Sequence, residues 1–344
     1  MSLTSPQTMQ AVQYSCYGPP KVLELRRVAV PTPKPGEVLV RVYASGLNPK
    51  DAIIRSGFFK RFSGRAFPKG TGFDFAGEVS EVGAGAEGFG LGQRVWGFLD
   101  GFDGGAAAEY VAVPQGWLSP MPEGLPYAEA AALPLVGLTA LQALRDKAKL
   151  RSGERLLIKS ASGGVGSAAI RLAKAIGAYV TAVASTASLE HCRMLGADEV
   201  VDYTRTDPAT LPGRFDVFLD LYGSSPFYTY RRLWERRGRF VTAAPDPNIF
   251  LARLVTRLLP GPRVDFVFVK PKRDDLVTLA AYVEAGALSM SIEATYTLET
   301  VREAHRAVTE KHACGKRVLL AREPVTSDAR DADAAQRQHA EQVA

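Results

Sequence analysis

Residues 155–178 read RLLIKSASGGVGSAAIRLAKAIGA. The apolar run at 155–160 has the length and composition of a buried strand. Three glycines follow in Ala161-Ser162-Gly163-Gly164-Val165-Gly166, and a helical spacing of apolar residues then runs to Gly177. Glycines let a chain turn sharply and bring its backbone close to a bound group. The helix that opens after them offers unpaired N–H groups and a partial positive charge to a pyrophosphate. A glycine triplet alone is weak, but the strand–turn–helix setting predicts a dinucleotide turn made by Ser162, Gly163, Gly164, Val165 and Gly166. The competing reading is a glycine-rich turn without a ligand.

Downstream, strands and helices alternate: YVTAVAS (179–185), a helix over TASLEHCRMLGA, then EVVDY (199–203), FDVFLDLYG (215–223), GRFVTAAP (238–245) and DFVFVK (265–270). Such alternation predicts βαβ units around a parallel sheet. The strand YVTAVAS ends where NAD-preferring sites carry an acidic residue for the ribose 2′-hydroxyl. Here the chain reads Ser185-Thr186-Ala187-Ser188, with no carboxylate before Glu190. NADPH is therefore the expected cofactor. Ser185, Thr186, Ser188 and Tyr203 are the candidates for its 2′-phosphate, with Arg193 or Arg205 in support. For Ser185 or Thr186 the rival reading is a cap on the next helix. Tyr222 lies at a strand's C-terminal edge, where ligands of parallel sheets bind.

Upstream the character differs. GEVLVRVYASG (36–46), FDFAGEVSEVG (73–83), GQRVWGFLD (92–100) and AAAEYVAVP (106–114) read as strands separated by Gly and Pro. The composition changes near Pro126, where LPYAEAAALPLVGLTALQAL (125–144) takes helical spacing. After Pro271 two helical stretches, 274–288 and 298–311, precede a strand, KRVLLA (316–321). Residues 325–344 are polar and are expected to form a mobile tail. There is no internal repeat.

The 344 residues suit two domains. The three cysteines lie far apart, without metal-knuckle or redox spacing. No segment has the roughly 20 apolar residues of a membrane span. The N-terminus lacks the apolar stretch of a secretory signal, so a cytoplasmic location is expected. The net charge of +6 suits a phosphate-bearing ligand without demanding one. Arginines cluster at 231–239 and 253–273 and are expected on solvated helix faces.

Six segments occur in a telling order: ASGLNPKD (44–51), GTGFDFAGEV (70–79), PLVGLTALQAL (134–144), ASGGVGSAAIRLAKAIGA (161–178), LGADEVVDY (195–203) and GKRVLL (315–320). Together they resemble the medium-chain dehydrogenase/reductase family, in its zinc-independent, quinone oxidoreductase-like (zeta-crystallin-like) branch. Zinc alcohol dehydrogenases carry a Cys where this chain has Asn48, and a His-Glu pair where it has Phe73-Asp74. The resemblance implies an α/β fold: a GroES-like substrate domain from residues 1–127 and 272–322, a Rossmann-like NADP(H)-binding domain at 128–271, and a tail at 323–344. It also implies hydride transfer from NADPH to a quinone or an α,β-unsaturated carbonyl, and a homodimer joined at the edges of the nucleotide-binding sheets. Thr139 and Lys316 match positions that line the cofactor.

Asn48 is the candidate catalytic residue, set near the nicotinamide or the substrate oxygen, unless it serves only the turn before Pro49. Asp51 is expected to hold its loop. Some relatives carry tyrosines in the segment that here runs from Ala52 to Phe59, where neither Ile53 nor Phe59 donates a proton. The aromatic-basic segment Phe58–Phe67 either walls a substrate pocket or packs on its own domain. Two other functions compete: a cofactor-binding regulatory or RNA-binding protein with little catalysis, motivated by the arginine clusters, and an enoyl-thioester reductase.

Overall fold

A computed structural model describes residues 6–223, 226–244, 246–258, 260–309 and 315–322. The expected tail, together with His312, Cys314 and His339, lies outside the described residues. The first third supplies β1 (Thr8–Tyr14), β2 (Glu24–Ala29), β3 (Glu37–Leu47), β4 (Lys69–Gly70), β5 (Asp74–Val82), β6 (Arg94–Phe98), β7 (Tyr110–Pro114) and β8 (Leu118–Pro120). Helices α1 (Pro49–Ser56) and α2 (Lys60–Ser63) follow β3. Helices α3 (Tyr127–Ala131) and α4 (Pro134–Leu141) lead to β9 (Arg155–Lys159), α5 (Gly164–Ile176), β10 (Tyr179–Ala184), α6 (Leu189–Met194), β11 (Glu199–Asp202), β12 (Phe215–Asp220), β13 (Trp234–Thr242), α7 (Pro247–Leu258) and β14 (Arg263–Phe266). The chain ends with α8 (Arg273–Glu284), β15 (Ile292–Thr297), α9 (Val301–Ala307) and β16 (Lys316–Leu320).

Strands β9–β14 form one sheet in the order β11-β10-β9-β12-β13-β14, with every neighbouring pair parallel. That order reverses beside β9, so the C-terminal end of β9 faces a crevice. The glycine turn grows from that end. The other sheets hold the early strands, and β16 joins them by antiparallel pairing with β3. Lys316 thereby lies opposite the end of β3, where Asn48 begins α1.

One buried core runs through both units, from Val40, Phe75 and Trp96 to Leu156, Ile158 and Val217. Helix α4 lies within it, and all eight of its residues are buried. A helix apolar all round has no solvent face to fix its rotation, so specific contacts at its start and end must orient it.

Four sequence expectations shift. The helical stretch 125–144 is divided, because Pro134 cannot continue α3 and instead starts α4. The last strand of the parallel sheet begins at Arg263 and stops at Phe266. The chain beyond it leaves the ladder, held by Gln142, which bonds both the carbonyl (2.8 Å) and the N–H (3.1 Å) of Lys270. Arg236, Arg237 and Arg239 lie on a strand rather than a helix, and Arg239 pairs with Glu154 at 2.7 Å. Strand β15 was not expected, since none of its residues is buried and its pattern carries no core signal. Among the described residues, no helix is long and apolar enough to cross a membrane.

Candidate active site

The predicted turn forms at the C-terminal end of β9. Ser160 takes a left-handed backbone conformation (φ 63°) to start it, and Gly163 occupies the N-cap of α5. A Cβ at Gly163 would meet only the Ser160 carbonyl, at 3.8 Å, so the space above the turn is open. Gly166 is the opposite case: a Cβ there would lie 2.4 Å from the Ala161 carbonyl oxygen. Gly164 sits between these extremes, and its Cβ would touch Val136 Cγ1 at 3.0 Å and Lys316 Cδ at 3.2 Å. One glycine thus leaves room for a ligand, one lets the helix pack on its own turn, and one brings α4 and Lys316 against it. The free N–H groups at the start of a 13-residue helix face the open side. This arrangement fits a dinucleotide.

Lys316 reaches from β16 into a buried polar cluster. Its ammonium donates to the Leu47 carbonyl (2.8 Å) and to Asn48 Oδ1, and lies 3.8 Å from the Asp74 carboxylate. Asn48 Nδ2 donates to Asp74 Oδ2 at 2.9 Å and to the Gly46 carbonyl at 3.3 Å. The other Asp74 oxygen accepts from the Leu135 N–H at 2.8 Å, at the start of α4. Burial pushes the Asp74 carboxyl up to about 6, while Lys316 and the Asn48 amide pull it back. Burial likewise lowers Lys316, and Asp74 opposes the change. With the Asn48 amide, the Leu135 N–H and the Lys316 ammonium directed at it, Asp74 is ionised at neutral pH, and Lys316 is its counterion.

Asp51 ties the same loop from below. It accepts from the N–H of Asn48 (2.9 Å) and Gly72 (2.8 Å) and from Thr71 Oγ1 (3.3 Å). Thr71 Oγ1 also lies 3.4 Å from Nε2 of fully buried His305. Burial drives the His305 pKa down to about 3, so this ring is neutral.

Lys316 and, through Val136, helix α4 meet the turn formed by Ser162, Gly163, Gly164, Val165 and Gly166, and Thr139 lies on that helix. Thr139 donates its hydroxyl to the Leu135 carbonyl (2.7 Å), which leaves only its acceptor side available. Asn48 needs correction as a substrate contact: both amide hydrogens and the amide oxygen are engaged, so it positions Asp74 and Lys316. Ser188 also leaves the cofactor-facing set, because it is fully buried, 3.4 Å from Ser185 Oγ. Tyr203 and Tyr222 are about half exposed or more. The Tyr222 and Gly223 N–H groups are fixed by Asp220, at 3.1 and 3.0 Å.

A carboxylate that the local sequence hides lies beside the expected 2′-phosphate site. Thr186 Oγ1 donates to Asp202, which also accepts from the Thr204 N–H (2.9 Å) and hydroxyl (2.7 Å). These bonds hold Asp202 below the usual carboxylate range. Arg205 approaches it at 3.6 Å, and Arg193 pairs with Glu190 at 3.1 Å.

The aromatic segment divides its members. Phe67 packs on Tyr14 and Tyr17, with ring centroids 6.0 and 5.0 Å away. Phe59 lies against Phe102, whereas Phe58 and Phe62 are exposed.

Two family models match the chain: an alcohol dehydrogenase GroES-like domain at residues 34–123 and a zinc-binding dehydrogenase domain at 195–319. A chloroplast envelope quinone oxidoreductase homolog of Arabidopsis thaliana is 34% identical over 90% of this chain and 98% of its own length. The chain belongs to the medium-chain dehydrogenase/reductase family, in its quinone oxidoreductase-like branch. Within that family, an NADPH-dependent alkenal/one oxidoreductase of Arabidopsis thaliana chloroplasts is 33% identical over 91% of this chain and 80% of its own. The solved quinone oxidoreductase of Coxiella burnetii superposes with a TM-score of 0.84 at 31% identity, covering 92% of this chain and all of that one.

The name of the second family model raises the question of zinc. The residues at the matching positions do not suit it. Phe73 has no donor atom, the Asn48 amide is fully engaged, and Asp74 already faces an ammonium ion. Zinc prefers thiolate and imidazole nitrogen, and no group of three such ligands occurs among the described residues.

The glycine geometry makes a paired prediction. Gly166→Ala must shift the turn and is expected to destabilise the fold by about 1–3 kcal/mol. Gly163→Ala keeps an ordinary φ and is expected to melt within about 0.5 kcal/mol of the parent while losing dinucleotide affinity. Thermal unfolding and cofactor fluorescence titration read the two effects separately.

Proposed function

We propose that this chain is an NADPH-dependent, zinc-independent reductase of quinones or α,β-unsaturated carbonyls. The observation that carries this reading is the glycine turn locked against Lys316 and α4, together with the pairing of Lys316 with Asn48 and Asp74, which stand where zinc alcohol dehydrogenases carry Cys and Glu. The names of the quinone and alkenal/one reductases it resembles support the substrate class. A bound nicotinamide dinucleotide supplies the hydride. The chain's own residues hold its pyrophosphate at the α5 N-terminus, exclude water with the α4 core, and fix the opposite wall through Asn48 and Lys316. Quinones and enones spread the arriving charge onto oxygen, so hydrogen-bond donors suffice where other carbonyls need a metal.

For the cofactor's second phosphate, the hydroxyls of Ser185, Thr186 and Tyr203 favour NADPH, and the end of β10 carries no acid. Asp202 opposes a phosphate near Thr186, so the preference over NADH is modest. Initial rates with 1,4-benzoquinone, 9,10-phenanthrenequinone and a simple enone are expected to be higher with NADPH than with NADH and unchanged by a chelator. Asp202→Asn is expected to raise the NADPH/NADH ratio of kcat/KM about tenfold, near 1.4 kcal/mol. Turnover abolished by the chelator, or equal use of both cofactors by the variant, would refute these assignments.

A second copy of the chain is the proposed partner. Strand β14 is an open sheet edge. Beside it, α7 exposes Phe250, Leu251, Leu254, Val255 and Leu258, apolar side chains of the kind that mark an interaction surface. Sedimentation is expected to give twice the chain mass, and Leu254→Asp with Leu258→Asp to give the single-chain mass. A monomeric parent would exclude the pairing.

A further inference from the structure

We propose that Lys50 is the electrophile of the site: its ammonium hydrogen-bonds the acceptor's carbonyl oxygen and takes up the charge that reaches it. This rests on the carbonyl-reductase reading and deepens it by naming the group that does the work a metal would do.

Lys50 follows Asn48 by two residues at the start of α1. Its Nζ lies 4.0 Å from the centroid of the Phe73 ring and 4.6 Å from that of Phe98. Both rings are buried and form a rigid apolar wall. Ring faces attract a cation but accept none of its hydrogens in a conventional bond. Among the described residues, Lys50 Nζ makes no hydrogen bond and no ion pair, so its three N–H donors are available.

The charged groups around it are already matched. Asp51 holds the Asn48 and Gly72 N–H groups, and Asp74 faces Lys316, Asn48 and the Leu135 N–H. Asp100 pairs with Lys270 at 2.7 Å. That pair joins the end of the β6 segment to the chain leaving the parallel sheet, so Lys50 lies where the two units face each other. Asn48 in turn holds Lys316, whose stem would touch a Cβ on Gly164 of the cofactor turn. A cation held on aromatic faces, with idle donors and the nearby carboxylates engaged by other groups, is preorganised for an oxyanion. Burial lowers the Lys50 ammonium below the ordinary lysine value, with Lys270 adding to it and Asp51, Asp100 and Asp74 opposing it. The lowering makes it a better proton donor.

With an enone, a new C–H bond forms at the β-carbon with the hydride pair, and the nicotinamide is left oxidised. The C=C pair moves toward the carbonyl carbon, and the C=O pair moves onto oxygen. One Lys50 proton passes to that oxygen, giving the enol and a neutral amine. Water returns a proton to the amine, and the enol tautomerises to the saturated ketone.

The test uses the full chain and the variants Lys50→Met and Lys50→Arg. With 3-buten-2-one and NADPH, Lys50→Met is expected to lower kcat about 100-fold, the effect of losing one oxyanion donor, with the NADPH KM within about twofold of the parent's. Lys50→Arg is expected to recover part of the rate. The parent's kcat is expected to fall as pH rises through the Lys50 pKa, and the arginine variant to move that limb upward. As a probe independent of turnover, 4-nitrophenol is titrated into enzyme loaded with NADP+. Its apparent pKa is expected to drop when bound to the parent and not when bound to Lys50→Met. Phenolate binding that depends on Lys50, in a protein that reduces no carbonyl, would keep the electrophile and overturn the substrate reading. A methionine variant within about threefold of the parent kcat, with unchanged phenolate binding, would overturn the proposal. If that variant fails to fold, an unmoved pH limb in Lys50→Arg overturns it equally.

Discussion

The buried ammonium of Lys316 is the constraint on which the rest of the site depends. A lysine only 5% exposed is costly unless its charge and its hydrogens are matched. This one is matched by the Leu47 carbonyl, Asn48 Oδ1 and the Asp74 carboxylate. Each partner comes from a different piece of chain: the end of β3, the cap of α1 and the start of β5. Asp74 passes the constraint on to α4 through the Leu135 N–H, and the Lys316 stem packs beside Gly164. Five elements and the cofactor turn are therefore set by one cation. Helix α4, apolar all round, gains its orientation from that polar contact rather than from a hydrophobic face.

The same cluster decides what chemistry is left to the site. Positions that carry metal ligands in zinc alcohol dehydrogenases hold an amide, a benzyl group and a carboxylate already paired with lysine. The cluster is closed, with no donor left for a substrate oxygen. An acceptor that takes a hydride still needs positive charge near its oxygen, and the neighbouring Lys50 has donors without acceptors. One lysine then provides architecture and the other reactivity. The division follows from environment: Lys316 meets a carboxylate, and Lys50 meets two aromatic faces.

The parallel sheet and its glycine turn were legible in the sequence because both rest on local signals, strand–turn–helix spacing and alternation. What failed was non-local. Asp202 lies 16 residues beyond Thr186 in the chain, and only the parallel pairing of β10 with β11 brings the two side by side. Ser188 reads as an exposed hydroxyl until the turn folds over it. Asn48 was legible as a special position, but its role was not, since that depends on Lys316, 268 residues away. Strand β15 escaped notice because it buries no side chain. Lys50 left no local sign, since its aromatic wall, Phe73 and Phe98, comes from residues 23 and more positions away in the chain.

Lys316 and Asp74 act as one coupled unit joining the substrate side to the cofactor turn. A double-mutant cycle of Lys316→Met and Asp74→Asn, read by chemical unfolding and by NADPH affinity, measures that coupling. Each single change is expected to destabilise the protein by about 3–5 kcal/mol, because it leaves a buried charge unmatched. The double variant is expected to be no less stable than either single one, and NADPH affinity to fall in all three. Additive losses of stability, with NADPH affinity untouched, would contradict that coupling.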